Sequence, residues 1–169
     1  MVKVADLWQR VDPDARRVLQ ELSGEGPVPV GGIARALGIE VKVSALGPGK
    51  SGMIQRSGNT YVIKLNRFES AERQRFTLAH ELAHFLLHRD IIDASPEGIT
   101  DNVLYRSGAP EVVEYEANAL AADILMPRDQ VRSKFLEIGG RISDAAISAC
   151  AEYFRVSKGA MEVRLDSIA

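Results

Sequence analysis

One cysteine, Cys150, occurs in the 169 residues, so no internal disulfide can form, and no histidine lies near it in sequence. A charge of one sign is also missing. Twenty-one Lys and Arg stand against 23 Asp and Glu, a net charge of −2, so no overall basic field draws in nucleic acid or an anionic membrane. No uncharged run approaches the roughly 20 residues that a membrane span needs. The start, MVKVADLWQRVDPDARRVLQ, is charged and amphipathic and lacks the apolar block of a secretory signal. These absences point to a cytoplasmic protein. What is present is 46% hydrophobic and 26% charged residues, the balance of a globular chain long enough to bury a core.

The pattern along the chain predicts α+β. Asp12-Pro13 opens a helix that runs through Leu22. IARALG reads as a short helix closed by Gly38, and IEVKVSAL as a strand. MIQR and TYVIKLN read as two strands joined by a tight turn at Gly58-Asn59. A long helix is expected from Ser70, its N-cap, to about Arg89. Residues 90–110 show no period and read as a loop, with a short extended piece at VLYR. A second long helix from Glu111 ends before Pro127. Two shorter helices follow Gly139-Gly140, with serine caps at Ser143 and Ser157.

Histidine is scarce, yet all three copies fall in FTLAHELAHFLLH, at His80, His84 and His88. His80-Glu81-Leu82-Ala83-His84 has the form H-E-x-x-H. On a helix, positions i and i+4 lie about 40° apart around the axis, so both imidazoles can converge on one ion. Glu81, beside the first of them, can take a proton from an attacking water. The segment around the pair is apolar, and buried histidines need partners. His88 lies about 12 Å along the axis from His80, too far to share its ion. It is expected to make a favourable contact at the helix end.

A hydrolytic zinc site usually takes three protein ligands. With no further histidine to serve, a carboxylate is expected, and EVVEYEANALAADILMP offers Glu111, Glu114 and Glu116. Glu114 shares a helical line with Asn118, Ala121 and Leu125, a small face suited to close approach. Glu116 shares its line with Leu120 and Asp123, which reads as at least partly solvated. Glu114 is therefore preferred, with Asn118 one turn on as a hydrogen-bond partner for a liganding histidine. Glu116 remains the alternative.

HELAH followed by EYEANALAADILMP resembles the ImmA/IrrE family of zinc metallopeptidases. That family carries HExxH and then E-x-x-A-(N/D)-x-F-A-x-x-L-L-M-P, which here runs from Glu114 to Pro127. Leu120 and Ile124 depart from it, and both are core exchanges that leave the chemistry untouched. RQRFTLAHELAHFLLH and PVPVGGIARALGIEV are also similar to the family. The resemblance implies a zincin-like minimal core: a small antiparallel-containing sheet packed on the HExxH helix and on a second, glutamate-bearing helix. It implies Zn²⁺ held by His80, His84 and Glu114, with Glu81 as catalytic base. Manganese remains open, although a His₂Glu set suits zinc best. It also implies a protein substrate, often a helix-turn-helix repressor encoded beside the peptidase. TYVIKLN is a candidate to pair with an extended substrate. Tyr61, His88, Tyr105 and Arg106 are candidates for an additional oxyanion donor.

The domain is expected over residues 1–127, with 128–169 a helical extension packed on it. That extension has a helix-turn-helix outline, but the charges of Lys158, Glu162, Arg164 and Asp166 cancel, which argues against DNA contact. Two rival functions remain: a regulator that binds a protein or DNA without cutting, and the toxin of a toxin–antitoxin pair.

Overall fold

The computed structural model describes residues 2–102 and 111–168. Among the described residues the sheet has four strands: β1 (Ile39–Ser44), β2 (Lys50–Ser57), β3 (Thr60–Asn66) and β4 (Ile99–Asn102), in the order β1-β3-β2-β4. Strands β2 and β3 form a hairpin closed by Gly58-Asn59, where Gly58 takes φ 63°, a left-handed angle that glycine adopts without strain. β1 runs parallel to β3, and β4 runs antiparallel to β2. The strand TYVIKLN is thus central and hydrogen-bonded on both sides. The expectation that it receives a substrate strand is overturned, because β1 and β4 form the edges of this sheet.

The helices are α1 (Val4–Arg10), α2 (Pro13–Leu22), α3 (Val30–Ala36), α4 (Ala71–Leu87), α5 (Arg89–Ala94), α6 (Glu111–Leu125), α7 (Arg128–Glu137), α8 (Asp144–Phe154) and α9 (Lys158–Ile168). Caps set their starts: Asp12 accepts from the N–H groups of Asp14 and Ala15, Ser70 from Arg73, Ser143 from Ala146 and Ser157 from Ala160. Residues 90–110 are not all loop, since they contain most of α5 and all of β4. Both elements are too short to show a period, and β4 obtains its hydrogen bonds from β2, with Ile99 opposite Ile54. The extended piece expected at VLYR lies outside the described residues. The helix α7, absent from the sequence expectation, starts directly after Pro127.

Helix α4 is the spine of the fold. Ten consecutive residues, Thr77 to Leu86, are buried, so every side of the helix is covered. The sheet covers one side through Gly52, Ile54, Ile63 and Leu65, which share a face by the register of the hairpin. Asn66 ties the end of β3 to the start of α4. Its amide donates to the Lys50 carbonyl, its side-chain oxygen accepts from the Phe68 N–H, and its own carbonyl accepts from the Gln74 side chain.

Helix α6 lies against α4, and α1 lies over α6. This corrects the expectation that the line Glu116, Leu120, Asp123 faces water. Leu120 is fully buried, Trp8 Nε1 donates to Asp123 at 2.6 Å, and Arg164 of α9 reaches the same carboxylate. Arg164 is accordingly buried rather than one of four exposed, cancelling charges on the tail. The side chains of Cys150, Phe154, Met161 and Leu165 share one core with Leu82 and Leu120. No helix among the described residues is long and apolar enough to cross a membrane.

Gly52 marks where sheet and helix come closest. A Cβ there would sit 2.5 Å from Thr77 Cγ2 and 2.8 Å from the Lys64 carbonyl oxygen. We expect Gly52→Ala to cost about 1–3 kcal/mol, the range for overpacking a tight contact, read as a lowered urea midpoint. An unchanged midpoint would contradict this approach of β2 to α4.

Candidate metal centre

The helical period of α4 places His80 and His84 one turn apart within its buried stretch, and Glu81 beside them is fully buried. Glu114 comes from the first turn of α6, where the positive end of the helix favours a carboxylate. His80, His84 and Glu114 are brought together by the packing of α6 on α4.

The Nε2 atoms of His80 and His84 are 3.1 Å apart. Glu114 straddles them, with one oxygen 3.2 Å from His80 Nε2 and the other 3.2 Å from His84 Nε2. One ligand atom from each of the three residues lies within 4.8 Å of the others. Two atoms bound to a tetrahedral zinc at about 2.0–2.1 Å each are about 3.3 Å apart. The observed spacings fit that requirement, and two imidazoles with one carboxylate are a donor set that zinc accepts.

Each histidine is also held from its other side. His80 Nδ1 lies 2.9 Å from Asn118 Oδ1, an oxygen that can only accept, so Nδ1 carries the proton and Nε2 presents its lone pair inward. His84 Nδ1 lies 3.0 Å from Nδ1 of His88, the residue that ends α4. His88 in turn meets Glu116 at 2.8 Å, and Glu116 pairs with Arg10 at 2.9 Å. Glu116 is therefore not in the triad; it sits behind it.

The oxyanion candidates divide. Tyr61 donates its hydroxyl to Asp93 at 2.7 Å. Both ring nitrogens of His88 are engaged by His84 and Glu116, which removes it as a donor to substrate. Tyr105 and Arg106 lie outside the described residues. The roles of Glu116 and Arg10 were missed in the sequence. The i, i+4 spacing of His84 and His88 was a visible signal for their contact, whereas nothing local marks Arg10, more than 70 residues away.

The electrostatics follow from burial and these partners. Burial alone would raise the Glu114 carboxyl, but in the metal-free site His80 and His84, once charged, donate to it from Nε2 and carry it well below the usual carboxylate range. Burial pushes His84 down from its ordinary 6.5, against the opposing effect of Glu114. The hydrogen bond from Arg10, helped by that from His88, holds Glu116 low despite partial burial.

Both His84 and Glu114 bind protons less readily folded than unfolded, so acid destabilises the metal-free protein. The His84 share is complete above its ordinary value of 6.5 and is lost as pH falls below it. The Glu114 share is complete above 4.5 and is lost further down. In chelator, urea midpoints measured from about pH 8 to about pH 3 should fall in both windows, and Glu114→Gln should lessen the fall in the lower one, which Glu116 shares. A midpoint independent of pH would contradict the coupling of these groups to folding.

Among solved structures, a Mycobacterium tuberculosis transcriptional regulator has a similar fold, with a TM-score of 0.56 and 16% identity, over 94% of this chain and 49% of that one. The chain thus spans about half the length of that protein. No curated protein matches. A family model, Peptidase_M78, described as the IrrE N-terminal-like domain, matches residues 34–166 and so includes the HELAH helix, Glu114 and most of the helical tail. The chain belongs to that metallopeptidase family.

Proposed function

We propose that this protein is a zinc-dependent metalloendopeptidase with His80, His84 and Glu114 as metal ligands and Glu81 as general base. The observation that carries the reading is the convergence of two Nε2 atoms and one carboxylate, 3.1–3.2 Å apart, next to a fully buried glutamate. When bound, a divalent zinc ion supplies Lewis acidity toward a peptide carbonyl and lowers the pKa of water. Asn118 orients His80. Glu81 accepts the proton of the attacking water and delivers it to the departing amine, so that the peptide C–N bond breaks as the C–O bond forms.

The substrate class is an intracellular protein, in line with the family to which the motifs belong. A helix-turn-helix repressor or antitoxin encoded nearby is the first choice, with Zn²⁺ as cofactor and no role for a membrane. The rival is a regulator that holds zinc and binds a partner without cutting it. The similar fold of a protein titled transcriptional regulator favours giving that rival a test. A pure binding module has no use for Glu81, whereas a hydrolase depends on it.

Incubated with the product of the neighbouring helix-turn-helix gene, the zinc-loaded protein should cut it, and a chelator should stop the reaction. Glu81→Gln should retain one zinc per chain and lose about 10²–10⁴-fold in rate. Undiminished cleavage by that variant would exclude Glu81 as the base. Replacing His80 or Glu114 by Ala should abolish stoichiometric zinc, read by elemental analysis after gel filtration. Full retention of zinc by both would dismiss the ligand set.

A further inference from the structure

Both ring nitrogens of His84 are accounted for. Nε2 faces His80 and Glu114, while Nδ1 lies 3.0 Å from His88 Nδ1. Beyond it, His88 Nε2 is 2.8 Å from Glu116 Oε2, and Glu116 Oε1 is 2.9 Å from Arg10 Nη1. His88 and Glu116 are 3% and 9% exposed, and the Arg10 side chain reaches the surface.

The direction of each hydrogen bond follows from the far end. A carboxylate paired with a guanidinium can accept and cannot donate. His88 must therefore donate from Nε2, and in a neutral imidazole that leaves Nδ1 as a bare acceptor. A 3.0 Å contact between two ring nitrogens then requires the proton on His84 Nδ1, which leaves the His84 lone pair on Nε2. His84 thereby acquires the same tautomer that Asn118 imposes on His80. Ending α4 does not require the imidazole of His88, because its backbone N–H makes that bond, to the His84 carbonyl at 2.7 Å.

We propose that His88, Glu116 and Arg10 form a positioning relay that fixes the tautomer and orientation of His84, so that its Nε2 is held ready as an electron-pair donor. The relay rests on the reading of His80, His84 and Glu114 as a metal site, and gives the third histidine of the FTLAHELAHFLLH segment a task. It joins that site to the N-terminal helix α1, which supplies Arg10.

Zinc affinity, measured by competition with a chromophoric chelator, tests the relay without recourse to hydrolysis. His88→Phe fills the same space and makes no hydrogen bond, so it should bind zinc about 10–100-fold more weakly than wild type. Glu116→Leu should weaken zinc by a similar factor. Glu116→Gln, which keeps an acceptor oxygen for His88, should recover most of the loss. Arg10→Met, at an exposed position, should cost less than either. In ¹⁵N spectra of the zinc-loaded wild type, which has only three imidazoles to assign, His88 should carry its proton on Nε2 with Nδ1 bare. A purely structural His88 would lower thermal stability and leave the zinc affinity of the folded protein untouched. Wild-type affinity in His88→Phe and Glu116→Leu would overturn the relay while leaving the metal site intact. A His88 protonated on Nδ1 would overturn it even if both variants failed to fold. Failure of the wild type to bind zinc would remove the metal site itself, and the relay with it.

Discussion

Polar side chains buried between α4 and α6 govern the design of this chain. His80, Glu81 and His84 lie in the middle of ten consecutive buried residues. Removing imidazoles and carboxylates from water is costly unless they find partners. Glu114 and the two Nε2 atoms supply those partners for one another, and Asn118 and His88 engage the nitrogens on the far sides. The position of α6 relative to α4 is therefore set by chemistry as much as by apolar packing. A shift along either helix would separate buried polar groups from their partners.

The remaining elements hold that pair of helices in place. The hairpin of β2 and β3 lays Gly52, Ile54, Ile63 and Leu65 against α4, and Asn66 anchors the first turn of the helix. On the other side, Trp8 and Arg10 of α1 and Arg164 of α9 all reach carboxylates of α6, at Asp123 and Glu116. The N-terminus and the tail thus converge on the helix that carries Glu114. Trp8 and Arg164 fix a surface that would otherwise be solvated, and Arg10 also holds Glu116 as the acceptor for His88.

The helices with caps and strong periods were legible in the sequence. Ser70 begins α4, Asp12-Pro13 begins α2, and Ser143 and Ser157 begin α8 and α9, since a capping hydroxyl or carboxylate acts on backbone N–H groups two or three residues away. The Gly58-Asn59 turn was legible for the same reason of range. Strand β4 was not, because four residues cannot show a period and their pairing partners are 45 or more residues earlier. Helix α7 was not legible behind Pro127 either, although proline at a helix start breaks no hydrogen bond. The central place of β3 could not be read either, since strand order depends on which edges meet.

The sequence by itself determined the spacing of His80, Glu81 and His84 and singled out Glu114 with Asn118 one turn on, because a helix converts four-residue spacing into a shared face. Only the tertiary structure decided what stands on the reverse of the site. Glu116 was expected at least partly in water, yet α1 covers it and Arg10 pairs with it. His88 was expected to serve the helix end, yet its imidazole joins His84 to Glu116. Both outcomes depend on contacts between segments 28 and 106 residues apart, and amphipathic period carries no information about which distant helix will close over a given face.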